Sequence, residues 1–310
     1  MGSRMGKDKD KPQVREKNLF RAVDSPYLVP ADGGFKLAKS PTKPPKDAPD
    51  KDTAKDDLTR LVGKLDELQH LFYAYDHRAL LLIFQAMDAA GKDSTIRAVL
   101  SGVNPAGCQV YSFKQPSKEE LQHDFLWRTT VRLPERGRIG VFNRSYYEEV
   151  LITKVHPQLL EPQHLPRGLD PGEIWPQRYT SIRDMEKHLA RSGTVILKFW
   201  LNVSREEQRQ RFLARLEEPE KNWKFESGDV AERAYWKDYM HAYEDALNET
   251  SRPWAPWYAI PADDKPHMRA TVADIIVRTL ESLELKYPKP AAAERANFAK
   301  LKKQLEAEGG

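Results

Sequence analysis

Cysteine is almost absent from this 310-residue chain. Cys108 stands alone, so no intramolecular disulfide and no cysteine-rich metal site can form. A lone thiol reads as a small packing residue, and the composition fits a reducing compartment. Long apolar runs are missing too: no stretch approaches the roughly 18 apolar residues of a membrane helix, and no charged-then-apolar leader follows the start. Membrane insertion is excluded and a cytoplasmic location expected. The eight histidines never fall at HxxxH spacing, which leaves no metal pair on a helix face. A G-x-S-x-G elbow is also lacking, so nothing points to a serine hydrolase. Charge imbalance is small, a net +4 with a pI near 8.9, short of what by itself advertises nucleic-acid binding. Any polyanion must be held by local clusters.

What is present is a polar chain, 31% charged against 40% hydrophobic, of a length that one α/β domain with insertions accommodates. Met1-Gly2-Ser3-Arg4-Met5 reads like a tag remnant before a second methionine. Residues 1–57 are dominated by Lys, Asp and Pro and are expected to form an extension that is mobile or draped on the surface, because they bury too little apolar surface to offset their ordering entropy. Leu58, Leu61, Leu65, Leu68 and Leu71 then recur at helical spacing. Ala79 to Phe84 is a continuous apolar run, the pattern of a strand buried on both faces of a parallel sheet. Further strands are expected at Arg138 to Phe142, Thr194 to Leu201 and Tyr258 to Ile260, each followed by a helix; the last helix runs from about Arg269 to Tyr287. Such alternation implies a parallel sheet covered on both faces. His156 to Pro176 is rich in Pro and Gly and reads as a long loop; residues 289–310 read as a ragged tail.

The segment Gln85-Ala86-Met87-Asp88-Ala89-Ala90-Gly91-Lys92-Asp93-Ser94-Thr95 links the first strand to a helix from about Lys92 to Leu100. A loop of this kind can hold phosphate, since backbone N–H groups and the helix dipole face the anion and Lys92 adds a point charge. The G-x-x-x-x-G-K-[ST] pattern is met imperfectly: its first glycine is Ala86 and its Ser/Thr position holds Asp93. An ordinary strand-to-helix turn, with Gly91 supplying an unusual backbone angle, is the competing reading. Asp88 either serves that turn or anchors a Mg²⁺ ion shared with phosphate oxygens, the arrangement that reconciles a carboxylate with an anionic ligand.

Arg144 leaves the end of a predicted strand, where ligands of doubly wound sheets sit, and its planar fork suits phosphate. The alternative is a surface pairing with Glu148 or Glu149. Arg209, Arg211, Arg215, Lys221 and Lys224, interleaved with Trp223 and Phe225, form either a solvated helix face or a basic lid that excludes water during transfer.

Taken together, Phe84 to Asp93, Phe142 to Glu148, Glu218 to Phe225 and Ala255 to Ala262 resemble the polyphosphate kinase 2 family, in the right order and over about Leu58 to Tyr287. The details look most like its class III members, which phosphorylate nucleoside monophosphates as well as diphosphates from inorganic polyphosphate. That resemblance implies a three-layer α/β P-loop kinase fold with a central parallel sheet, a catalytic domain over residues 58–288 and a helical lid over about 215–239. It implies polyphosphate binding by Ala89, Ala90, Gly91, Lys92, Asp93, Ser94 and Thr95, with Lys221 and Lys224 on the lid. It casts Asp88, Lys92 and Arg144 as catalytic, and Arg144 and Glu148 as nucleotide-binding. Asn143 stands where many members carry aspartate, which leaves Asp88 and Glu149 as the candidate ligands of Mg²⁺ or of Mn²⁺ in its place. Glu148 matches a glutamate that class III members link to nucleotide use. The expected reaction is reversible transfer of the terminal phosphoryl group of polyphosphate to AMP or ADP by a homodimer or homotetramer. The rival readings are an ATP-dependent kinase on the same core and a basic nucleic-acid-binding protein that stacks bases on its Trp- and Arg-containing segment.

Overall fold

Five strands, β1 (Ala79–Gln85), β2 (Cys108–Ser112), β3 (Ile139–Asn143), β4 (Thr194–Asn202) and β5 (Trp257–Pro261), make one parallel sheet in the order β2-β3-β1-β4-β5. The structure, a computed structural model, describes residues 19–222 and 227–308. Every residue of β1, β3, β4 and β5 is buried, as expected of strands covered on both faces. Edge strand β2 is only half-buried and polar, and its sequence carries none of that apolar signature. In register, Leu80 lies opposite Ile139 on one side and Val195 on the other. The chain thus moves outward from β1 to one edge and crosses back over it to build the other. That reversal opens a crevice at the carboxyl end of β1, the usual ligand position in such sheets.

Helices cover both faces. Helix α1 (Lys51–Tyr75) begins at the Asp50 cap, whose carboxylate accepts from the N–H groups of Asp52 and Thr53, and it buries Leu61, Leu65, Leu68 and Phe72 on one stripe. It packs on α10 (Lys265–Ser282), which also touches α2 (Lys92–Val99). The opposite group is α4 (Glu148–Val155), α5 (Pro171–Arg191) and α9 (Trp236–Thr250). Short α3 (Trp127–Thr130) lies between β2 and β3. Between β4 and α9 run α6 (Arg205–Glu217), the single turn α7 (Pro219–Asn222) and α8 (Ser227–Glu232). Ser204 caps α6, its hydroxyl oxygen accepting from the Glu207 N–H.

Three expectations need correction. Residues 19–50 are not a loose extension. They form a strap along β5: the Val29 N–H donates to the Trp257 carbonyl at 2.9 Å, Tyr27 accepts from the Ala259 N–H at 2.8 Å, and Phe20, Val29 and Phe35 are buried. Average composition hid these anchors, each worth about 1.5–3 kcal/mol of burial. Asn202 adds bonds to the Ser40 and Pro41 carbonyls, and the Phe35 ring meets Trp200 edge-on. Secondly, His156 to Pro176 is not one loop, because a 3₁₀ turn spans Pro157–Gln163 and α5 starts at Pro171 behind an Asp170 cap. Proline at a helix's first position is a start signal rather than a breaker. Thirdly, the C-terminal region holds a helix, α11 (Ala292–Glu308), every residue of which is exposed.

Candidate active site

The loop after β1 takes its shape from two residues in the left-handed region, Ala89 at φ 59° and Gly91 at φ 110°. At Gly91 a Cβ would only reach contact distance of the Met268 methyl, 3.4 Å, so it is the backbone angle that calls for glycine. Ala89 tolerates its angle only because its surroundings hold it. Arg144, just past β3, has φ 62°, and its N–H donates to the Phe84 carbonyl at 3.0 Å, tying the end of β3 to the end of β1.

Asp88 and Arg144 meet here. The Arg144 guanidinium donates from Nη2 to Asp88 Oδ1 at 2.6 Å and from Nη1 to Glu148 Oε2 at 3.1 Å, a fork shared by two carboxylates. Gln85, at the end of β1, with its amide nitrogen toward Glu148, reaches Oε1 at 2.8 Å. Burial pushes the Asp88 carboxyl upward, but Lys92, Arg144 and Arg215 together hold it below the usual aspartate range. Glu148 and Asp88 keep Arg144 firmly protonated. Lys92 is buried, and its ammonium donates to the Ala86 carbonyl at 2.6 Å and the Met87 carbonyl at 3.3 Å. Burial and the neighbouring Arg144 lower its pKa to about 8 despite Asp88 and Glu148. Tyr243, on α9, lies in the same electrostatic neighbourhood; burial and Glu148 keep its phenol protonated.

Several expected site residues sit differently. Glu149 is occupied elsewhere: its buried carboxylate accepts from Arg178 at 2.9 Å and from Gln163 at 2.8 Å, so it secures α4 to α5 rather than serving a metal. One residue along a helix turns a side chain by about 100°, which is why Glu148 and Glu149 have different partners. The Asn143 amide donates to the Asp93 carboxylate, which places a carboxylate beside the end of β3 after all, contributed by α2. The Ser94 hydroxyl turns back to the Gly91 carbonyl at 3.0 Å, and wholly buried Thr95 lies against the Met268 sulfur, so neither hydroxyl is spent on the loop's open face. Lys221 lies in α7, while Lys224 lies outside the described residues. Arg211, read as a lid cation, is buried and donates to the Ala89 and Ala90 carbonyls at 3.1 and 2.6 Å. Gln208 went unnoticed although it stands one turn before Arg211 on the same helix face; its amide donates to the Asp88 carbonyl at 2.9 Å. Cys108 is a packing residue whose burial pushes its thiol up to about 11.

Among the described residues no three His, Cys, Asp or Glu side chains converge as a ready-made metal cage. Mg²⁺ does not need one, since it is commonly held by one or two carboxylates and completed by substrate phosphates. Asp88, a third exposed and flanked by cations that attract phosphate, fits that role.

A parallel sheet, a glycine-lysine loop at its switch point and a converging Asp, Lys and Arg define a kinase-type phosphotransferase. The sequence model of the polyphosphate kinase 2 family matches residues 48–288, and the chain belongs to that family. It is therefore an enzyme, a polyphosphate-dependent phosphotransferase. An ADP-polyphosphate phosphotransferase of Rhodopseudomonas palustris is 56% identical over 270 residues, 87% of this chain and 93% of that protein. An AMP/ADP-polyphosphate phosphotransferase of Meiothermus ruber is 44% identical over 86% of this chain and 96% of its own length. The crystal structure of a polyphosphate kinase 2 from Arthrobacter aurescens superposes with a TM-score of 0.78 at 39% identity, covering 90% of this chain and 99% of that one. The family match, the sheet and the loop together leave the nucleic-acid-binding alternative without support. No helix among the described residues is long and apolar enough to cross a membrane.

Proposed function

We infer that the chain moves the terminal phosphoryl group of inorganic polyphosphate to AMP or ADP, with the loop from Asp88 to Thr95 gripping the polyphosphate end. The observation that carries this reading is the convergence of Lys92, Arg144 and Arg215 on Asp88 at the carboxyl end of β1. Arg144 also serves Glu148 and Arg215 also serves Asp229, while Lys92 is held by loop carbonyls; a ligand bearing several negative charges finds all three cations at one loop. The open N–H groups of the loop and of the α2 N-terminus add to that attraction.

In the proposed reaction an oxygen of the acceptor's terminal phosphate attacks the terminal phosphorus of polyphosphate as the bond to the departing chain breaks. The attacking oxygen is already anionic, so no strong base is required, and catalysis is positioning plus charge stabilisation. Lys92 exchanges its loop carbonyls for phosphate oxygens. Arg144, preloaded between Asp88 and Glu148, lies between the two reactants and offsets the charge that moves. A bound Mg²⁺ supplies further charge neutralisation; Asp88 is the residue of this chain that would hold it. Glu148 sets the far side of Arg144 and thereby the acceptor's phosphate position. Lys221 and Lys224 are assigned to the segment that closes over the polyanion, and the assembly to a homodimer or homotetramer.

The test is nucleotide profiling. Purified protein, Mg²⁺, long-chain polyphosphate and either AMP or ADP, with no other phosphate donor, should yield ADP and ATP over time. Transfer only when ATP is supplied to another acceptor would replace this reading with the ATP-dependent kinase.

A further inference from the structure

Helix α6 presents Gln208 and Arg211 to three consecutive carbonyls of the phosphate loop, those of Asp88, Ala89 and Ala90, at 2.9, 3.1 and 2.6 Å. A trans peptide sets each carbonyl antiparallel to the next residue's N–H. Drawing these carbonyls toward α6 therefore turns the Ala89 and Gly91 N–H groups to the opposite face, while the Ala90 N–H closes a turn on the Met87 carbonyl at 3.3 Å. Arg211 is anchored elsewhere as well, donating to the Ala262 carbonyl at 2.6 Å and to Glu207 at 2.8 Å, so it works as a fixed post. Gln208 differs. Its buried side-chain oxygen accepts from Arg233 at 2.6 Å, and Arg233 stands on the 3₁₀ turn Arg233–Tyr235, directly after α8 in the segment assigned to the lid. The same guanidinium also reaches the Arg205 carbonyl at 3.1 Å.

One amide group thus joins two parts of the molecule: its nitrogen holds the carbonyl of Asp88 and its oxygen holds the lid. We propose that Gln208 is a positioning residue that couples the lid, through Arg233, to the orientation of the Asp88 peptide and hence to the anion-facing side of the phosphate loop. When the Arg233 turn is docked, the Gln208 amide is fixed at both ends and the loop is set for phosphate. When that turn withdraws, the amide keeps one partner and the loop loses its brace. This rests on the polyphosphate-transferase reading and adds to it a route by which closure and phosphate grip occur together.

The experiment is a double-mutant cycle with Gln208→Met, Arg233→Met and the combination, plus Arg233→Lys. KM for polyphosphate and for ADP, kcat, and the melting-temperature rise produced by tripolyphosphate are measured for each. Losing one or two hydrogen bonds to charged or buried partners corresponds to roughly 5- to 30-fold effects. We expect Gln208→Met to raise KM for polyphosphate about 10-fold, with KM for ADP within about twofold, and Arg233→Met to raise it about 5-fold. The double variant should match Gln208→Met alone, and Arg233→Lys should lie near wild type. Effects that multiply in the double variant overturn the coupling, as does a parallel fall in melting temperature and kcat with KM unmoved. If Gln208→Met does not fold, the Arg233 pair decides: equal KM for the Met and Lys variants overturns the proposal. A wild type that transfers no phosphate from polyphosphate refutes the functional reading instead. The tripolyphosphate melting shifts, which need no turnover, then still judge the coupling, and equal shifts in wild type and all four variants reject it.

Discussion

Replacing Asp88 with asparagine changes one oxygen to nitrogen and leaves the volume almost untouched, so it isolates the charge. Two interactions are lost in part. The bond from Arg144 at 2.6 Å is charge-assisted and worth about 1.5–3 kcal/mol, of which a neutral amide oxygen retains about half. The second is the carboxylate's hold on Mg²⁺, for which a neutral ligand is a poor substitute, at a cost of several kcal/mol in the transition state. A total near 4 kcal/mol converts to about a thousandfold loss in kcat/KM, at about 1.4 kcal/mol per decade. Folding should be nearly indifferent, because Arg144 keeps Glu148 at 3.1 Å; a melting temperature within about 3 °C of wild type is expected, equivalent to about 1 kcal/mol in a domain of this size. The assay is polyphosphate-dependent ATP formation from ADP across a Mg²⁺ titration, with melting followed in parallel. Half-saturating Mg²⁺ should rise at least about tenfold. Activity within threefold of wild type refutes the role of Asp88. A large loss at unchanged Mg²⁺ dependence refutes the metal assignment and leaves only its grip on Arg144.

The remaining predictions concern neighbouring groups. Lys92 titrates near 8 before ligand binds, so its ammonium fades as pH rises from 7 to 9; KM for polyphosphate should climb over that range while kcat, measured with the phosphate bound, changes less. A flat KM across that range contradicts the assignment. The same shift fixes a stability sign: the unfolded lysine titrates near 10.5, so the cost of burying its charge is fully present below pH 8 and is relieved between 8 and 10.5. Whatever the stability difference between Lys92→Met and wild type at pH 7, it should move against the variant over that window in urea melts; movement the other way counts against the buried-ammonium account. Glu148→Asn removes one of the two carboxylates on Arg144 and should lower AMP use relative to ADP use about tenfold or more; an unchanged ratio takes Glu148 out of acceptor choice. Lys198→Met leaves Glu186 buried without its cation, although the Tyr146 and Tyr147 hydroxyls still donate to it, and should cost about 3–5 kcal/mol in denaturant unfolding; a loss below 1 kcal/mol contradicts a buried ion pair beneath the site.

The parts of the fold that were readable in advance are those where burial is uniform along the chain. Strands β1 and β4 and the leucine stripe of α1 announce themselves because every residue, or every third or fourth, meets the core. Strand β2 stayed hidden because an edge strand with one covered face mixes Cys, Gln, Tyr and Ser. Asp88, Lys92 and Arg144 could be singled out because the motifs place them just past the ends of β1 and β3, which are neighbours in the sheet. Gln208 was missed for a physical reason: the part of the loop it holds is a backbone carbonyl 120 residues away, and a carbonyl has no letter in a sequence. Glu149 was misassigned because motif spacing gives proximity along the chain but not the direction of a helical side chain.

The strap of residues 19–50 has a bearing on the chain's surface chemistry. A sheet with two bare edges offers two templates for another strand, and proteins survive by blunting them. Here the β5 edge is closed by the Tyr27–Val29 pairing with Trp257 and Ala259, whereas β2 at the far edge keeps Val110 exposed. The family-wide match begins at residue 48. A version trimmed to that shared portion would keep every catalytic group yet bare the β5 edge together with the pockets of Phe20, Val29 and Phe35. Its failure is expected to be one of solubility rather than chemistry, since the stretch most easily discarded as a leader covers that edge and fills those pockets.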